Sequence, residues 1–259
     1  MRGLNFSSLM LFIKYLRLLQ AFVRAFWILW VQFPRLHREE KLLAIQTWSA
    51  ETLAVMGVTV NVVGHIQRPP LSNTPQLLVA NHVSWLDPVV IQTVQPSIFV
   101  AKQEVRRWPI VGAIAQACGV VFVNRGSPSS ARKMVTQVAD AMQSGHNVAG
   151  FPEGTSTLGH TVEMFHANLF ESAIHQDVPV QPLALRYTSS QTGAHCTRAA
   201  FVGDLSFLRS LHQVMRARDG ICITLHAGPC LLPQGHSRKS LALLARNSVM
   251  TQLEALSAV

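Results

Sequence analysis

Acidic residues are scarce in this chain. Its 259 residues hold 13 Asp and Glu against 22 Lys and Arg, a net charge of +9. That surplus suits anionic partners: nucleic acid, phosphorylated metabolites or an anionic membrane face. The surplus is uneven, with seven Lys/Arg against two Glu in residues 1–50 and six against two in residues 101–150, but two against four in residues 151–200. Few aromatics accompany the basic residues beyond residue 50, which argues against nucleic acid. Charge is sparse altogether at 14%, while 49% of residues are hydrophobic, so disorder is excluded and a large core is available. The four cysteines, Cys118, Cys196, Cys222 and Cys230, follow no zinc spacing, and a chain of this length needs no disulfide. They are expected to be reduced, mostly buried thiols in an intracellular protein.

A long uncharged apolar run is also missing. Residues 9–32, LMLFIKYLRLLQAFVRAFWILWVQ, are interrupted by Lys14, Arg17 and Arg24, and the run from Ala25 to Pro34 falls short of the roughly 20 residues a spanning helix needs. At 100° per residue these cations share about a third of the helix circumference with Gln20 and Gln32. The pattern is that of an interfacial helix, apolar face in the acyl region and basic face toward lipid phosphates. A tilted span or re-entrant hairpin with snorkelling cations, and a soluble core helix, are the alternatives. No small-residue cleavage site follows, against a signal peptide. Pro34 is expected to end or kink this helix. A second helix, Leu36 to Met56, is expected to stop at Gly57. Residues 1–57 would then form a membrane-associated helical hairpin, and residues 58–259 a separate domain.

From Val58 onward short strands alternate with helices. Strands are expected at VTVNVV, QLLVA, SIFVAK, VVFVNR, NVAGFPEG, VPVQPLALRYT and GICITLHAG. Helices are expected at SWLDPVVIQTV, WPIVGAIAQACG, 128–144, 164–176, 205–217 and 237–256. This is an α/β fold with a largely parallel, mixed sheet flanked by helices. Its polar clusters fall at strand ends, where sites in such folds lie.

Three of those ends carry chemistry. In NHVSWLDP, Ser84 capping the next helix would let the loop turn back so that Asp87 meets His82. The carboxylate would fix the tautomer and free the other ring nitrogen as a base. With no G-x-S-x-G elbow and no cysteine nearby, the base would act directly on a substrate hydroxyl. A loop histidine beside a helix-start aspartate is the bland alternative. GVVFVNRG brings Arg125 to a strand end, where it would hold a phosphate or simply face solvent. FPEGTST offers Glu153, Gly154, Thr155 and further hydroxyls, a cradle for an oxyanion or polar head group, or an ordinary turn.

Taken in order, these blocks resemble the glycerolipid acyltransferase family, which includes 1-acylglycerol-3-phosphate acyltransferases. NHVSWLD matches the family's NHxxxxD block, GVVFVNRG the second, FPEGTST the third and VPVQPLAL the fourth. AKQEVRRWPIVG looks like its linking segment. The resemblance implies an enzyme that moves a fatty acyl group from a thioester, acyl-CoA or acyl carrier protein, to the free hydroxyl of a lysolipid. His82 would be the base and Asp87 its orienting partner. Arg125 would contact the acceptor's phosphate, Glu153, Gly154 and Thr155 would shape the acceptor site, and Lys102 would lie near the thioester or oxyanion. No cofactor, metal or covalent acyl-enzyme is implied. Membrane lipids would be partners, at the cytoplasmic face of the inner membrane. Nothing in the sequence speaks to oligomeric state.

One departure concerns the acceptor. Phosphatidate-forming members commonly have arginine after EGT, where Ser156 stands here. Relatives acylating lyso-ornithine lipid also lack it, and EMFHANLFESAI looks like that subgroup. Lysophosphatidate, giving phosphatidate in phospholipid synthesis, is the acceptor favoured as the commoner activity. A phosphate-free lysolipid is the alternative. Two other classes compete: a non-catalytic membrane lipid-binding protein, opposed by the intact His82–Asp87 pair, and a metal-dependent hydrolase, opposed by the lack of a second ligand cluster.

Overall fold

The structure is a computed structural model that describes residues 6–66, 74–124 and 126–257. It opens with α1 (Phe6–Trp27), which passes through a π-helical turn at Ile28–Gln32, and α2 (Arg38–Met56). Helical structure ends two residues before Pro34, as the ring's clash with the preceding turn requires. The His37 amide donates to Glu40 Oε2 at 2.8 Å at the start of α2. Gly57, at φ 78°, takes the left-handed conformation that closes it. Two packed helices stand where the membrane-associated hairpin was expected; the structure shows their packing and not a membrane, and no helix among the described residues is long and apolar enough to cross one.

The remaining elements are β1 (Val58–Val63), β2 (Leu77–Ala80), α3 (Asp87–Val94), β3 (Ile98–Lys102), α4 (Val111–Ala117), β4 (Val121–Val123), α5 (Pro128–Gln143), β5 (Val148–Gly150), α6 (Asn168–His175), β6 (Val180–Ser189), α7 (Phe207–Met215), β7 (Ile221–Ala227) and α8 (Arg238–Ser257). The seven strands form one sheet in the order β1-β7-β6-β2-β5-β3-β4. Every neighbouring pair is parallel except β6 with β7, which is antiparallel. The helix expected over 164–176 is confined to Asn168–His175. The chain before it is held irregular by tertiary bonds such as that from the His166 amide to Pro152 O at 2.9 Å.

Alternation along β2 explains the layering. Leu78 and Ala80 face one core with Leu53, Met56, Val90, Ile91 and Met215, from α2, α3 and α7. Leu77 and Val79 face the other with Met134, Val138, Phe170 and Val249, from α5, α6 and α8. All four β2 residues are buried, as a strand covered on both faces requires. Leu18 of α1 joins the first core, so the hairpin packs directly on the α/β body.

The apolar circumference of α1 is split in two. Leu18 and Ala25 are buried, whereas Phe12 is 64% exposed, Val23 61% and Trp30 56%, with Leu9, Leu16, Leu19 and Trp27 also exposed. From Leu9 to Trp27 these exposed members fall within about 80° of helix surface, with Met10, also exposed, outside that stripe. The four cysteines are free, as expected, but each is half-buried rather than buried.

Candidate functional site

The site lies at the C-terminal ends of β2, β3 and β5, the edge where parallel α/β sheets leave backbone and side chains free for a ligand. Asn81 makes the first move. Its side chain donates to Leu185 O at 3.0 Å and accepts from the Leu185 amide at 2.8 Å. The amide side chain thereby replaces a backbone pairing with β6, and the chain is released to turn.

Asp87 then gathers the loop. It is completely buried. Its Oδ2 accepts from His82 Nδ1 at 2.8 Å, the Val83 amide at 2.7 Å and the Ser84 amide at 2.9 Å. Its Oδ1 accepts from the Tyr187 hydroxyl. An ionised carboxylate only accepts, so the His82 proton sits on Nδ1 and Nε2 is the free lone pair. The ring of His82 stacks on Phe151, centroids 4.2 Å apart, and is 23% exposed where it lines a cavity. Ser84 does not cap α3; its Oγ accepts from the Leu86 amide at 3.2 Å within the loop.

The third block is tied to the first. Glu153 Oε1 accepts from the His82 amide at 2.6 Å, and Oε2 from the Glu163 amide at 2.8 Å. The Thr157 amide donates to His82 O at 2.8 Å. Burial pushes the Glu153 carboxyl above its ordinary range, and the two backbone bonds oppose that shift. Gly154, at φ 69°, permits the turn that carries the chain past the cavity, which it lines. Thr155 is exposed. Ser156 lines the cavity and donates its hydroxyl to Phe201 O.

Lys102 ends β3 and lines the cavity. Arg125 lies outside the described residues; its neighbours Asn124 and Gly126 line the cavity. The structure thus brings His82, Asp87, Glu153, Gly154 and Ser156 together, with Lys102 on the same cavity. Tyr187, absent from the sequence-based set, completes the network from 100 residues away. Its only sequence signal was its place two residues beyond the fourth block in the same strand.

The cavity encloses about 1390 Å³. One region is polar, around His82, Gly154 and Ser156; another is walled by Phe22, Ile28, Trp48 and Met56 of the hairpin. Such a space accepts a long apolar chain and presents its polar end to a base. Among the described residues no three His, Cys, Asp or Glu side chains gather as a metal site.

Comparison with known proteins agrees with this geometry. Residues 59–186 match the family described as Acyltransferase. A lyso-ornithine lipid O-acyltransferase from Pseudomonas aeruginosa is 35% identical over 206 residues, covering 80% of this chain and 76% of that protein. A 1-acyl-sn-glycerol-3-phosphate acyltransferase from Neisseria gonorrhoeae is 41% identical over 125 residues, covering 48% of this chain and 49% of that protein. The crystal structure of the 1-acyl-sn-glycerophosphate acyltransferase PlsC from Thermotoga maritima shares the fold, with a TM-score of 0.65 at 19% identity over 95% of this chain and 98% of that one.

Proposed function

The chain belongs to the acyltransferase family, and from that footing we propose that it O-acylates a phosphate-free lysolipid of the lyso-ornithine type, using an acyl thioester as donor. The observation that carries the chemistry is His82, held by a buried carboxylate through Nδ1 with Nε2 toward the cavity. The acceptor hydroxyl gives its proton to Nε2 as its oxygen attacks the thioester carbonyl. The imidazolium that forms is stabilised by Asp87. Collapse of the tetrahedral intermediate breaks the C–S bond, and the leaving thiolate takes the proton back from His82. Glu153 acts through position: both its oxygens hold backbone amides, so it fixes the loop carrying His82. Lys102, which lines the cavity together with Arg132 and Arg238, is the cation assigned to the thioester oxygen or the donor's phosphates.

Ser156 supports the choice of acceptor. Where phosphatidate-forming relatives commonly have arginine, its hydroxyl is spent on Phe201 O. A relative 35% identical over most of both chains is named for lyso-ornithine lipid, whereas a 1-acyl-sn-glycerol-3-phosphate acyltransferase with like coverage is 24% identical. Lysophosphatidate, favoured from the sequence alone, is the second reading, because Arg125 keeps the second block's cation. In this proposal the exposed stripe of α1 lies in the acyl region of the cytoplasmic membrane leaflet, and the cavity wall formed by the hairpin receives acyl chains from there. Incubating the purified chain with radiolabelled acyl-CoA or acyl carrier protein and a panel of lysolipids tests it. Faster turnover of lyso-ornithine lipid is expected; faster turnover of lysophosphatidate selects the second reading, and no transfer to any lysolipid removes both.

A further inference from the structure

Asp87 has one hydrogen-bond donor that comes from outside its own loop. Tyr187, on β6, is 1% exposed and directs its hydroxyl at Oδ1. The contact is part of a directed chain. The Leu86 amide donates to Ser84 Oγ within the loop that Asp87 gathers. The phenol proton points at Asp87 Oδ1, while Oδ2 faces His82. Burial, together with the charge of Asp87, holds the phenol well above its ordinary value, so it remains a donor throughout the working pH range. A buried hydroxyl would be satisfied by any carbonyl. This one is spent on the single carboxylate that holds the base.

We propose that Tyr187 is a positioning residue for acyl transfer whose hydroxyl sets how strongly Asp87 holds the proton-bearing form of His82. The inference rests on the reading of His82 as the base. By drawing charge toward Oδ1, Tyr187 weakens the pull of Oδ2 on the imidazolium. The imidazolium is then held less tightly, yet Asp87 still stabilises the cation formed in the transition state. Among the described residues, Glu153 is a further titratable side chain on the pair: it accepts from the His82 backbone amide and interacts with His82 through charge, equally in both variants below. Phe151 covers the ring face and carries no charge.

Two substitutions push the same bond in opposite directions. Tyr187→Phe removes the donor. The acid limb of kcat/KM, which reports protonation of the base, should move up by about half to one pH unit, with KM for both substrates unchanged. Fluorination strengthens the donor. The chain has two tyrosines, Tyr15 and Tyr187, so growth on 3-fluorotyrosine in a Tyr15→Phe background labels position 187 alone. Tyr15 lies on α1, where its hydroxyl meets His212 at 2.7 Å, and takes no part in the dyad. In that chain the acid limb should move down relative to its unfluorinated Tyr15→Phe control. Opposed shifts are not produced by a phenol that only fills space, which the fluorinated chain would leave unmoved. An active control whose acid limb is unchanged by fluorination, or moves the same way in both chains, overturns the role of Tyr187 alone. If Tyr187→Phe does not fold, the fluorinated chain decides by itself. Absence of acyl transfer in the wild type overturns the function and this inference together.

Discussion

Replacing Asp87 with Asn tests the dyad at constant shape. Asn keeps one oxygen, which can stay where Oδ2 accepts from His82, Val83 and Ser84. Its NH₂ group falls where Oδ1 accepts from Tyr187, so that hydroxyl must turn to accept instead. One bond is reorganised and a buried charge is removed at once. These effects oppose each other, and stability should change by no more than about 1–2 kcal/mol. Catalysis loses more. With charge centres about 4 Å apart and an effective dielectric near 20, carboxylate and imidazolium attract by about 4 kcal/mol. That attraction exists only once the base has taken the proton, so it belongs to the transition state. At about 1.4 kcal/mol per decade, kcat should fall about 10³-fold while the acceptor KM holds. Thiol release from acyl-CoA in mixed micelles gives both constants, and thermal melting checks the fold. A kcat within tenfold of wild type in a chain that melts normally would refute the electrostatic role. A rise in KM with kcat preserved would make Asp87 a lipid contact.

His82→Ala should lower turnover by about 10²–10⁴ in a folded chain, because the ring's lost contacts are one bond to Asp87 and a stack on Phe151; near wild-type turnover removes it as the base. Phe12→Asp, Leu19→Asp and Val23→Asp together should abolish liposome binding measured by flotation, since each exposed side chain offers about 1.5–3 kcal/mol on burial. Arg17→Gln should weaken binding to anionic vesicles mainly at low salt, by about 1 kcal/mol; indifference to both changes puts the anchor elsewhere. Ser156→Arg should lower KM for lysophosphatidate and leave that for lyso-ornithine lipid the same or higher, because the new cation replaces the hydroxyl bonded to Phe201 O; an unchanged lysophosphatidate KM means position 156 does not meet a phosphate.

Local signals carried most of the fold. β2 is four buried residues followed by Asn-His, α2 ends at a glycine with positive φ, and α5 begins with proline after serine; each feature acts within a few residues. The His82–Asp87 contact was legible for the same reason, since one turn joins the two. What was not legible depends on distant chain. EMFHANLFES has helical composition, yet its first half is held irregular by the Glu163 amide on Glu153 and the His166 amide on Pro152 O. Glu153 reads as a ligand group by type, but its partners are amides at positions 82 and 163. Periodicity on α1 separated polar from apolar residues. It could not divide the apolar ones between a face packed on the core through Leu18 and a face left bare through Phe12 and Val23, because both look alike until the second surface is known.

The donors around Asp87 suggest where such a site can be adjusted. Two of the four are backbone amides, which any side chain at positions 83 and 84 would supply. They hold the carboxylate in place and satisfy its oxygen despite complete burial. His82 is the reacting group and cannot change without ending the chemistry. The remaining donor, Tyr187, is bound to the sheet rather than to the loop. A shift of β6 relative to β2 would therefore reach the base through that one hydroxyl. Asn81 opposes such a shift, since its two bonds to Leu185 lock the same pair of strands two residues away. The sheet register and the strength of the base are thus fixed by neighbouring residues of a single strand pair. On the opposite side of His82, the Glu153 carboxylate holds the His82 amide, the Thr157 amide holds the His82 carbonyl and the Phe201 amide holds Val83 O. Glu153 also interacts with His82 through charge, so loss of its carboxylate should disturb both the geometry of the loop and the pH dependence of the rate.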